Sequence, residues 1–471
     1  MHARDFPDRI SPMLVKELRQ GLRTRSFIGV FLALQIILGV ILLSAGAAAT
    51  SDDAGSTISN IIFIFFSIAV LVVQPMRGIS TLSSEIKGNT IDMMVLTRLS
   101  AWRIVTGKWF AIVSQSALML TTIIPYLILR YFFGGMNLFG EIVLLAMIFV
   151  ASATLTAITV GLSASGSVIL RSILPMFALP IGAYTLLMLA MFGMRGGNGI
   201  ADFCALDTTE SRIIISIIIM TCVYYGFFFL AAGTSLIAPY ADNHSTIRRL
   251  IALLVTIVTV VLCCEYVTDE DALPFFLAMV LAPPFAVSLT EFGTLVPPTY
   301  QKFSRFGFAG KVAAFFFAPG WSSGVFFCGL LTAISTIPYF FITSSWGGDD
   351  HVIIGLGILG TLLFPALIIN VFRMKGPSRV SNYVLLGVSS GILALVLLGV
   401  AESMSNPNFL WLFVWIPPVA LSMLETRISE DLVYAAIVIV DAVLVVALLV
   451  LALRHHRSSI TNVEKEQSSP T

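Results

Sequence analysis

Residues 77–108, RGISTLSSEIKGNTIDMMVLTRLSAWRIVTGK, form the longest polar interruption between two apolar segments of this chain. The flanking apolar segments, 58–76 and 109–129, are each about as long as a helix that crosses a bilayer. Thr90 can cap a short helix inside the loop. The loop therefore separates two predicted membrane spans and carries a helix of its own.

The composition extends this interpretation to the whole chain. It has 471 residues, of which 57% are hydrophobic and 11% are charged, and its mean hydropathy is +0.95. A soluble domain has about 25% charged residues, so this chain has too few polar side chains to cover a soluble surface. We predict an all-α, polytopic helical membrane protein with about 12–13 transmembrane or re-entrant helices and an N-terminal amphipathic interfacial helix.

Apolar segments recur along the entire length. They lie at about 27–50, 58–76, 109–129, 142–165, 168–193, 213–238, 249–264, 273–290, 312–343, 352–372, 380–401, 409–424 and 432–453. Pro319-Gly320 interrupts the run 312–343, so we expect its first part to be interfacial. The segment 409–424 is short and broken by Pro417-Pro418, which favours a re-entrant element. Twelve true spans would return the basic C-terminal tail to the cytoplasm, whereas thirteen would place it outside.

The distribution of charge predicts the orientation of the bundle. Arginine and lysine are concentrated in the N-terminal tail and in loops 77–108, 239–249, 291–311 and 373–379, and the alternate loops are acidic or neutral. Because cytoplasmic loops carry the excess of arginine and lysine, this pattern puts the N terminus in the cytoplasm. We expect a multi-pass protein of the cell (inner or plasma) membrane.

Four regions follow from these features. We assign 1–26 to a cytoplasmic amphipathic helix, 27–240 to a six-helix membrane unit, 241–453 to an additional helical membrane region and 454–471 to a polar tail. In the first region Leu14, Leu18 and Leu22 recur every four residues, and charged residues cover the remaining faces. This pattern is typical of a helix that lies at the level of the lipid headgroups.

The sequence contains no recognisable catalytic or nucleotide-binding motif. The nearest approach to GxxxxGK[ST], at residues 307–312, lacks both the spacing and the hydroxyl. The five cysteines lack metal-ligand spacing, and the five histidines lie in tails and loops. We therefore expect no catalytic, cofactor or metal site. Asp441, in the middle of an apolar segment, is a candidate intramembrane polar site, either on a transport pathway or in a structural hydrogen bond.

One pattern is repeated within the chain. Residues 283–291 and 417–425 both read PPxAxSxxE. The repetition is compatible with duplicated membrane units, a common build for transporters, and equally with chance matching of small and apolar residues.

The helix predicted inside loop 77–108 has one apolar face. Ile91, Met94 and Val95 fall on that face at helical spacing. Such a helix, held just below the bilayer, suits insertion into a groove of a soluble partner. A loop lying on the lipid surface is the alternative, and the physics of the pattern favours neither.

The stretch SSEIKGNTIDMMVLTRLSAWRIVTGKWFA resembles the permease subunits of type-two ABC exporters. The matching residues are Glu85, Gly88, Thr90, Ile91, Asp92, Met93, Met94, Leu96, Thr97, Leu99, Ser100, Ile104, Val105, Gly107 and Lys108. The opening SPMLVKELRQGLRTRSF is similar to the interfacial helix of that family, and its core residues are Lys16, Glu17, Leu18 and Arg19. One departure is Arg98, which replaces the family's usual proline and leaves the bend there without a fixed φ.

The resemblance implies a function for loop 77–108. The loop would hold a coupling helix that docks on a separately encoded ABC-type ATP-binding subunit, through Glu85, Gly88, Thr90, Asp92, Met93, Met94, Leu96, Arg98, Gly107 and Lys108. ATP and Mg would be bound by that partner, so this chain is expected to be neither an enzyme nor a cofactor carrier. The resemblance also implies export and a homodimer or heterodimer of membrane subunits in the lipid bilayer, without nucleic acid.

Two other functions remain open. An ion-coupled secondary transporter would use Asp441 as its coupling site, and a polytopic membrane enzyme is the third alternative. A P-loop ATPase gene beside this one would support the permease. Transport that collapses with an uncoupler at constant ATP would support the ion-coupled carrier. The sequence does not indicate the substrate.

Overall fold

The computed structural model describes residues 12–48, 54–88, 100–131, 138–165, 204–239, 243–266, 273–291, 297–337, 349–374, 379–404, 407–426 and 428–468. Every regular element within these ranges is helical. The prediction of an all-α, polytopic helical fold is therefore confirmed.

The chain divides into two compact units, Met1–Ala238 (unit 1) and Pro239–Thr471 (unit 2). The described helices of unit 1 are α1 (Pro12–Leu22), α2 (Arg25–Ala48), α3 (Ala54–Ser67), α4 (Gln74–Gly78), α5 (Thr81–Lys87), α6 (Ala101–Tyr131), α7 (Leu138–Ser163) and α8 (Thr209–Ile237). A π-helical turn, Ile68–Val73, joins α3 to α4. The first helix follows the predicted amphipathic segment, with Pro12 at its first turn, where the missing N–H costs nothing.

Unit 2 contains both long and short helices. Its described helices are α9 (Ser245–Tyr266), α10 (Leu273–Thr290), α11 (Pro297–Ser304), α12 (Gly307–Phe317), α13 (Trp321–Ser335), α14 (Asp349–Val371), α15 (Arg379–Ser403), α16 (Pro417–Ser422) and α17 (Glu430–Ser468). Two 3₁₀ helices, Pro407–Phe413 and Met423–Glu425, flank α16.

Nine helices among the described residues are long and apolar enough to cross a membrane. The pair α12 and α13 would make a tenth span, but the two helices are bent by 92° at the break between them. This confirms the predicted interruption at Pro319-Gly320. The apolar segment 168–193 lies outside the described residues. The chain is a multi-pass membrane protein.

The segment 409–424 contains no helix long enough to cross a membrane, since it is divided between short helical pieces. Leu410, Val419 and Met423 from these pieces are buried against Phe364 and Ile437 in the core of unit 2. Interrupted helical backbone in a membrane protein is tolerated where other parts of the protein surround it, and the core of unit 2 surrounds these pieces. The predicted break in this segment is therefore present, and its re-entrant course stays a prediction.

Two hydrophobic clusters lie among the described residues of unit 1. One joins α2, α3 and α6 and includes Phe27, Leu38, Phe66 and Met119. The other lies where loop 77–108 leaves and re-enters the bundle. Its buried members include Leu82, Ile104, Val105, Val160 and Leu230. Both ends of the loop are therefore fixed by packing against α7 and α8.

Small residues allow α7 and α8 to approach closely. A Cβ added at Gly161 would lie 2.2 Å from the carbonyl oxygen of Phe229, and one added at Gly233 would lie 2.7 Å from the Cα of Gly161. Membrane helices gain van der Waals contact in this way, because lipid supplies no hydrophobic drive between them. The crossing gives the loop a rigid support.

Candidate functional site

The structure places the sequence-predicted site residues on four elements. Helix α1 carries Lys16, Glu17, Leu18 and Arg19. Helix α5 carries Glu85, and Gly88 directly follows it. Helix α6 carries Gly107 and Lys108, and helix α17 carries Asp441. The predicted docking residues Thr90, Asp92, Met93, Met94, Leu96 and Arg98 lie outside the described residues. The geometry of the site is therefore that of the two ends of the loop.

Lys108 joins three of these elements. Its Nζ donates to Oε1 of Glu85 at 2.7 Å and lies 3.5 Å from Oε1 of Glu17. The lysine side chain is only 5% exposed, and the two carboxylates are less than one-fifth exposed. A buried ammonium needs such partners, since removing it from water is otherwise costly. The interfacial helix, the start of the loop and the next span thus meet at one ion-pair cluster.

A second cation ties the end of α1 to the bundle. Arg77 donates to the hydroxyl of Thr24 at 2.8 Å, to the carbonyl of Gly21 at 3.4 Å, and to the side-chain oxygen of Gln115. A Cβ added at Gly21 would lie 2.2 Å from Nε2 of Gln115, so a larger residue there would have to displace the Gln115 side chain. From the sequence, Arg77 was predicted only to be a loop charge, because the partners of its guanidinium lie far away along the chain.

The start of α6 is also held by its tryptophan. The indole N–H of Trp109 donates to the carbonyl of Ala153 on α7 at 2.8 Å. Trp109 packs against the cluster that contains Ile104 and Val105. Lys108 is therefore carried on a helix that cannot turn independently of α7.

Unit 2 contains a separate buried charge cluster around Glu291, the residue after α10. Its Oε1 accepts from Arg248 at 2.8 Å and from the hydroxyl of Ser245, and its Oε2 accepts from Arg249 at 2.6 Å. Both arginine side chains are 1% exposed. Burial alone would raise the pKa of Glu291, but the charges of Arg249 and Arg248 hold that pKa below its ordinary value.

Arg249 also satisfies the backbone at the break between α12 and α13. It donates to the carbonyl oxygens of Phe316 at 2.9 Å, Ala318 at 2.7 Å and Gly320 at 2.9 Å, and to the hydroxyl of Ser323 at 2.9 Å. Gly320 has a φ of +118°, a conformation that favours glycine. Carbonyls released by a broken helix need partners inside a membrane protein, and one guanidinium supplies them here.

The two PPxAxSxxE segments do not adopt the same structure. Residues 283–290 continue the helix α10 and lead to the buried Glu291 cluster, whereas residues 417–425 form a six-residue helix followed by a 3₁₀ turn. Glu425 is exposed. The repeated pattern therefore does not mark two equivalent elements.

Asp441 is packed against a glycine on the neighbouring helix α14. A Cβ added at Gly360 would lie 1.9 Å from Oδ1 of Asp441. The aspartate is 9% exposed, and neither carboxylate oxygen has a hydrogen-bond partner among the described residues. The described residues therefore do not supply the structural hydrogen bond that was one of the two roles considered for Asp441. Within the same residues, no group of three His, Cys, Asp or Glu side chains could hold a metal ion.

We expect Gly360→Ala to destabilise the protein by about 1–3 kcal/mol, because the added methyl group overlaps the Asp441 carboxylate. The measurement is the midpoint of thermal unfolding of the purified protein in detergent. Adding Asp441→Ala should restore most of the loss by making room. Gly391→Ala is the matched control, since an added Cβ there meets nothing within 4 Å. Equal midpoints for Gly360→Ala and Gly391→Ala would contradict the close packing.

No protein-family model, curated protein or solved structure matches this chain. The interpretation of the two charge clusters therefore rests on their geometry and on the sequence.

Proposed function

We propose that this chain is the membrane-spanning permease of an ATP-binding cassette transporter, an exporter driven through loop 77–108 by a separate ATPase subunit. The observation that carries the proposal is the cluster of Glu17, Glu85 and Lys108. The resemblance selected these three residues from three parts of the sequence, and they meet at one buried point. The N terminus and the loop are cytoplasmic in this proposal, and the membrane is the cell membrane.

The cluster suits a part that transmits force. A partner that binds the loop can move the spans only if both ends of the loop are attached to them firmly. One end is fixed through Glu85 and Leu82, and the other through Lys108 and Trp109. ATP binding and hydrolysis in the partner would then displace α1, α5 and α6 together. The permease itself performs no bond chemistry in this mechanism.

An ion-coupled carrier is the second candidate, and Asp441 favours it. A buried carboxyl inside a membrane span with no partner among the described residues is suited to exchange a proton. A transport assay, in whole cells or with the reconstituted protein, distinguishes the two candidate functions. The permease requires ATP and tolerates an uncoupler, whereas the carrier loses transport when an uncoupler is added at constant ATP.

Aspartate at both Met94 and Leu96 should abolish co-purification of a P-loop ATPase with the chain. The charges would enter an apolar contact surface, where an unpaired carboxylate is costly to bury. Affinity purification in mild detergent followed by mass spectrometry measures this result. Membrane insertion should be unchanged, as judged by resistance to carbonate extraction.

The control variant keeps apolar side chains of similar volume at positions 94 and 96. Met94→Leu with Leu96→Met should retain the ATPase, since isosteric apolar exchanges are usually tolerated. A complex that survives both aspartates, or a wild-type chain that captures no P-loop ATPase, would refute docking through this loop.

A further inference from the structure

Four lysine and arginine side chains are buried among the residues that the structure describes, and one of them has no acidic partner. The four are Lys108, Arg248, Arg249 and Arg379. Two carboxylates flank Lys108, and Glu291 binds both arginines of α9. Arg379, the first residue of α15, is 5% exposed and forms no ion pair with a described residue. Because a buried guanidinium without an anion is costly, this position calls for a negative charge.

The contacts that the described residues make with Arg379 are neutral. Its Nη2 donates to Oδ1 of Asn370, near the end of α14, at 2.5 Å. Its guanidinium carbon lies 5.9 Å from the centre of the Trp321 ring, at the start of α13. Its Nε is buried and has no hydrogen-bond partner in this part of the chain. An arginine has five N–H donors, so the guanidinium keeps donors for a further acceptor.

The sequence supplies no acidic residue close to this position on the surrounding helices. None occurs between residues 292 and 348 or between residues 351 and 401, which excludes α12 and α13 entirely. Asp350 lies 20 residues before Asn370 on α14, and Glu402 lies 23 residues after Arg379 on α15. These separations are about 30 and 35 Å along a helix. The missing negative charge must therefore come from outside these four helices.

The charged residues that border this position are basic. The ring centre of His455, beyond the apolar part of α17, lies 4.9 Å from that of Trp321. Arg454, next to His455, and Arg373, three residues after Asn370, are both exposed. Clustered basic groups create a positive potential that concentrates anions. The ends of α14 and α17 and the starts of α13 and α15 thus form a basic site around one buried guanidinium.

We propose that Arg379, with Trp321 and His455 beside it, binds the phosphate of an anionic phospholipid in the cytoplasmic leaflet. A guanidinium matches phosphate oxygens in geometry and charge, and the donors that Asn370 leaves unused are available to them. Tryptophan is enriched at the headgroup level, and basic groups at the cytoplasmic ends of spans select anionic lipids. Loop 373–379 carries the positive charge that predicts this side of the membrane. The site is equally compatible with a permease and with an ion-coupled carrier.

Lipid-dependent stabilisation of the wild-type protein tests the site. The protein in neutral detergent receives phosphatidylglycerol, phosphatidylcholine with the same acyl chains, or inorganic phosphate, and the midpoint of thermal unfolding is measured. Native mass spectrometry counts the lipids that stay bound. Phosphatidylglycerol should raise the midpoint to a plateau, and the other two should not do so at the same concentration. Equal effects of the two lipids would overturn the anion site, and a full effect of inorganic phosphate would overturn a lipid as its source.

Two substitutions at the site should each weaken the response to phosphatidylglycerol. Arg379→Gln removes the cation and should weaken the apparent affinity by about tenfold or more, as expected for loss of a hydrogen bond to a charged group. Asn370→Asp places a carboxylate where the amide oxygen now lies 2.5 Å from Arg379. It should raise the midpoint without lipid and abolish the response, because the guanidinium is then paired within the protein. This variant decides the result if Arg379→Gln does not accumulate.

Two controls separate the site from general effects of charge. Asn382→Asp adds a carboxylate to the first turn of α15 at a residue that donates to Met374 and not to Arg379, and it should keep the response. Arg305→Gln removes an exposed arginine from another basic loop and should also keep it. A wild-type response in Asn370→Asp would overturn the proposal. An equal loss of response in both controls would overturn it as well, since the effect would then follow net charge.

Discussion

Replacing Arg249 with methionine is expected to cause the largest loss of stability of any single change in unit 2. The substitution removes the guanidinium that lies 2.6 Å from Glu291 and leaves that carboxylate with one arginine instead of two. It also removes one donor from each of three backbone carbonyls at the 92° break. Breaking a buried ion pair costs about 3–5 kcal/mol. The Phe316 carbonyl would lose its side-chain donor at a cost of about 1–3 kcal/mol, whereas the Ala318 carbonyl keeps the Ser323 hydroxyl and the Gly320 carbonyl keeps the Gly324 N–H as donors.

The measurement for Arg249→Met is the midpoint of thermal unfolding in detergent, with recovery of monodisperse protein as a second readout. A fall of about 10 °C or more is expected for a loss of this size. Arg249→Lys should be intermediate, because an ammonium can keep the ion pair but cannot reach all the carbonyls in the fixed geometry of a guanidinium. The exposed Arg457, changed to methionine, is the control and should leave the midpoint unchanged.

The order of the unfolding midpoints of the Arg249 variants shows whether the ion pair or the carbonyl hydrogen bonds stabilise the break. If Arg249→Lys matches the wild type, the ion pair alone holds the break and the carbonyl hydrogen bonds contribute little. If Arg249→Met matches the wild type, the description of this cluster as the support of the break is wrong. Failure of the methionine variant to accumulate would agree with the prediction, provided that the Arg457 variant accumulates normally.

The sequence predicted the helices of the bundle because each apolar segment is a local signal. The interruption at Pro319-Gly320 was predicted for the same reason, since both residues disfavour a continuous helix. The roles of Arg249 and Arg77 were not predicted. Glu291 lies 42 residues from Arg249, and Gln115 lies 38 residues from Arg77. Such pairs form only when particular helices pack together, and no local pattern specifies that packing.

The Lys108 cluster was predicted only in part. The resemblance selected Lys108, Glu85 and Glu17 separately, and the structure adds that they touch. The close crossing of α7 and α8 at Gly161 and Gly233 was also not predicted. A glycine in an apolar segment does not indicate which helix packs against it. Residues 89–99 lie outside the described residues, so their helix stays a prediction.

Lys108→Met is expected to weaken both the attachment of α1 and the coupling to the ATPase. The change takes away the ammonium that lies 2.7 Å from Glu85 and 3.5 Å from Glu17, and leaves two carboxylates facing an apolar side chain. Removing one partner of a buried pair costs about 3–5 kcal/mol. Thermal unfolding should report this loss, and stimulation of the partner's ATP hydrolysis by the chain should fall at least tenfold.

A second substitution distinguishes the ion pair from a general packing role. Lys108→Met with Glu85→Gln should recover part of the stability, because Glu17 is then the one carboxylate of the cluster that still lacks the ammonium. The double variant should still couple poorly if the charged contact transmits movement between α5 and α6. Lys16→Met, on the exposed face of α1, is the matched control for loss of a lysine near the same helix. Wild-type stimulation by Lys108→Met would show that the cluster only supports the fold, and force would then have to reach the spans through the apolar contacts of Leu82 and Ile104.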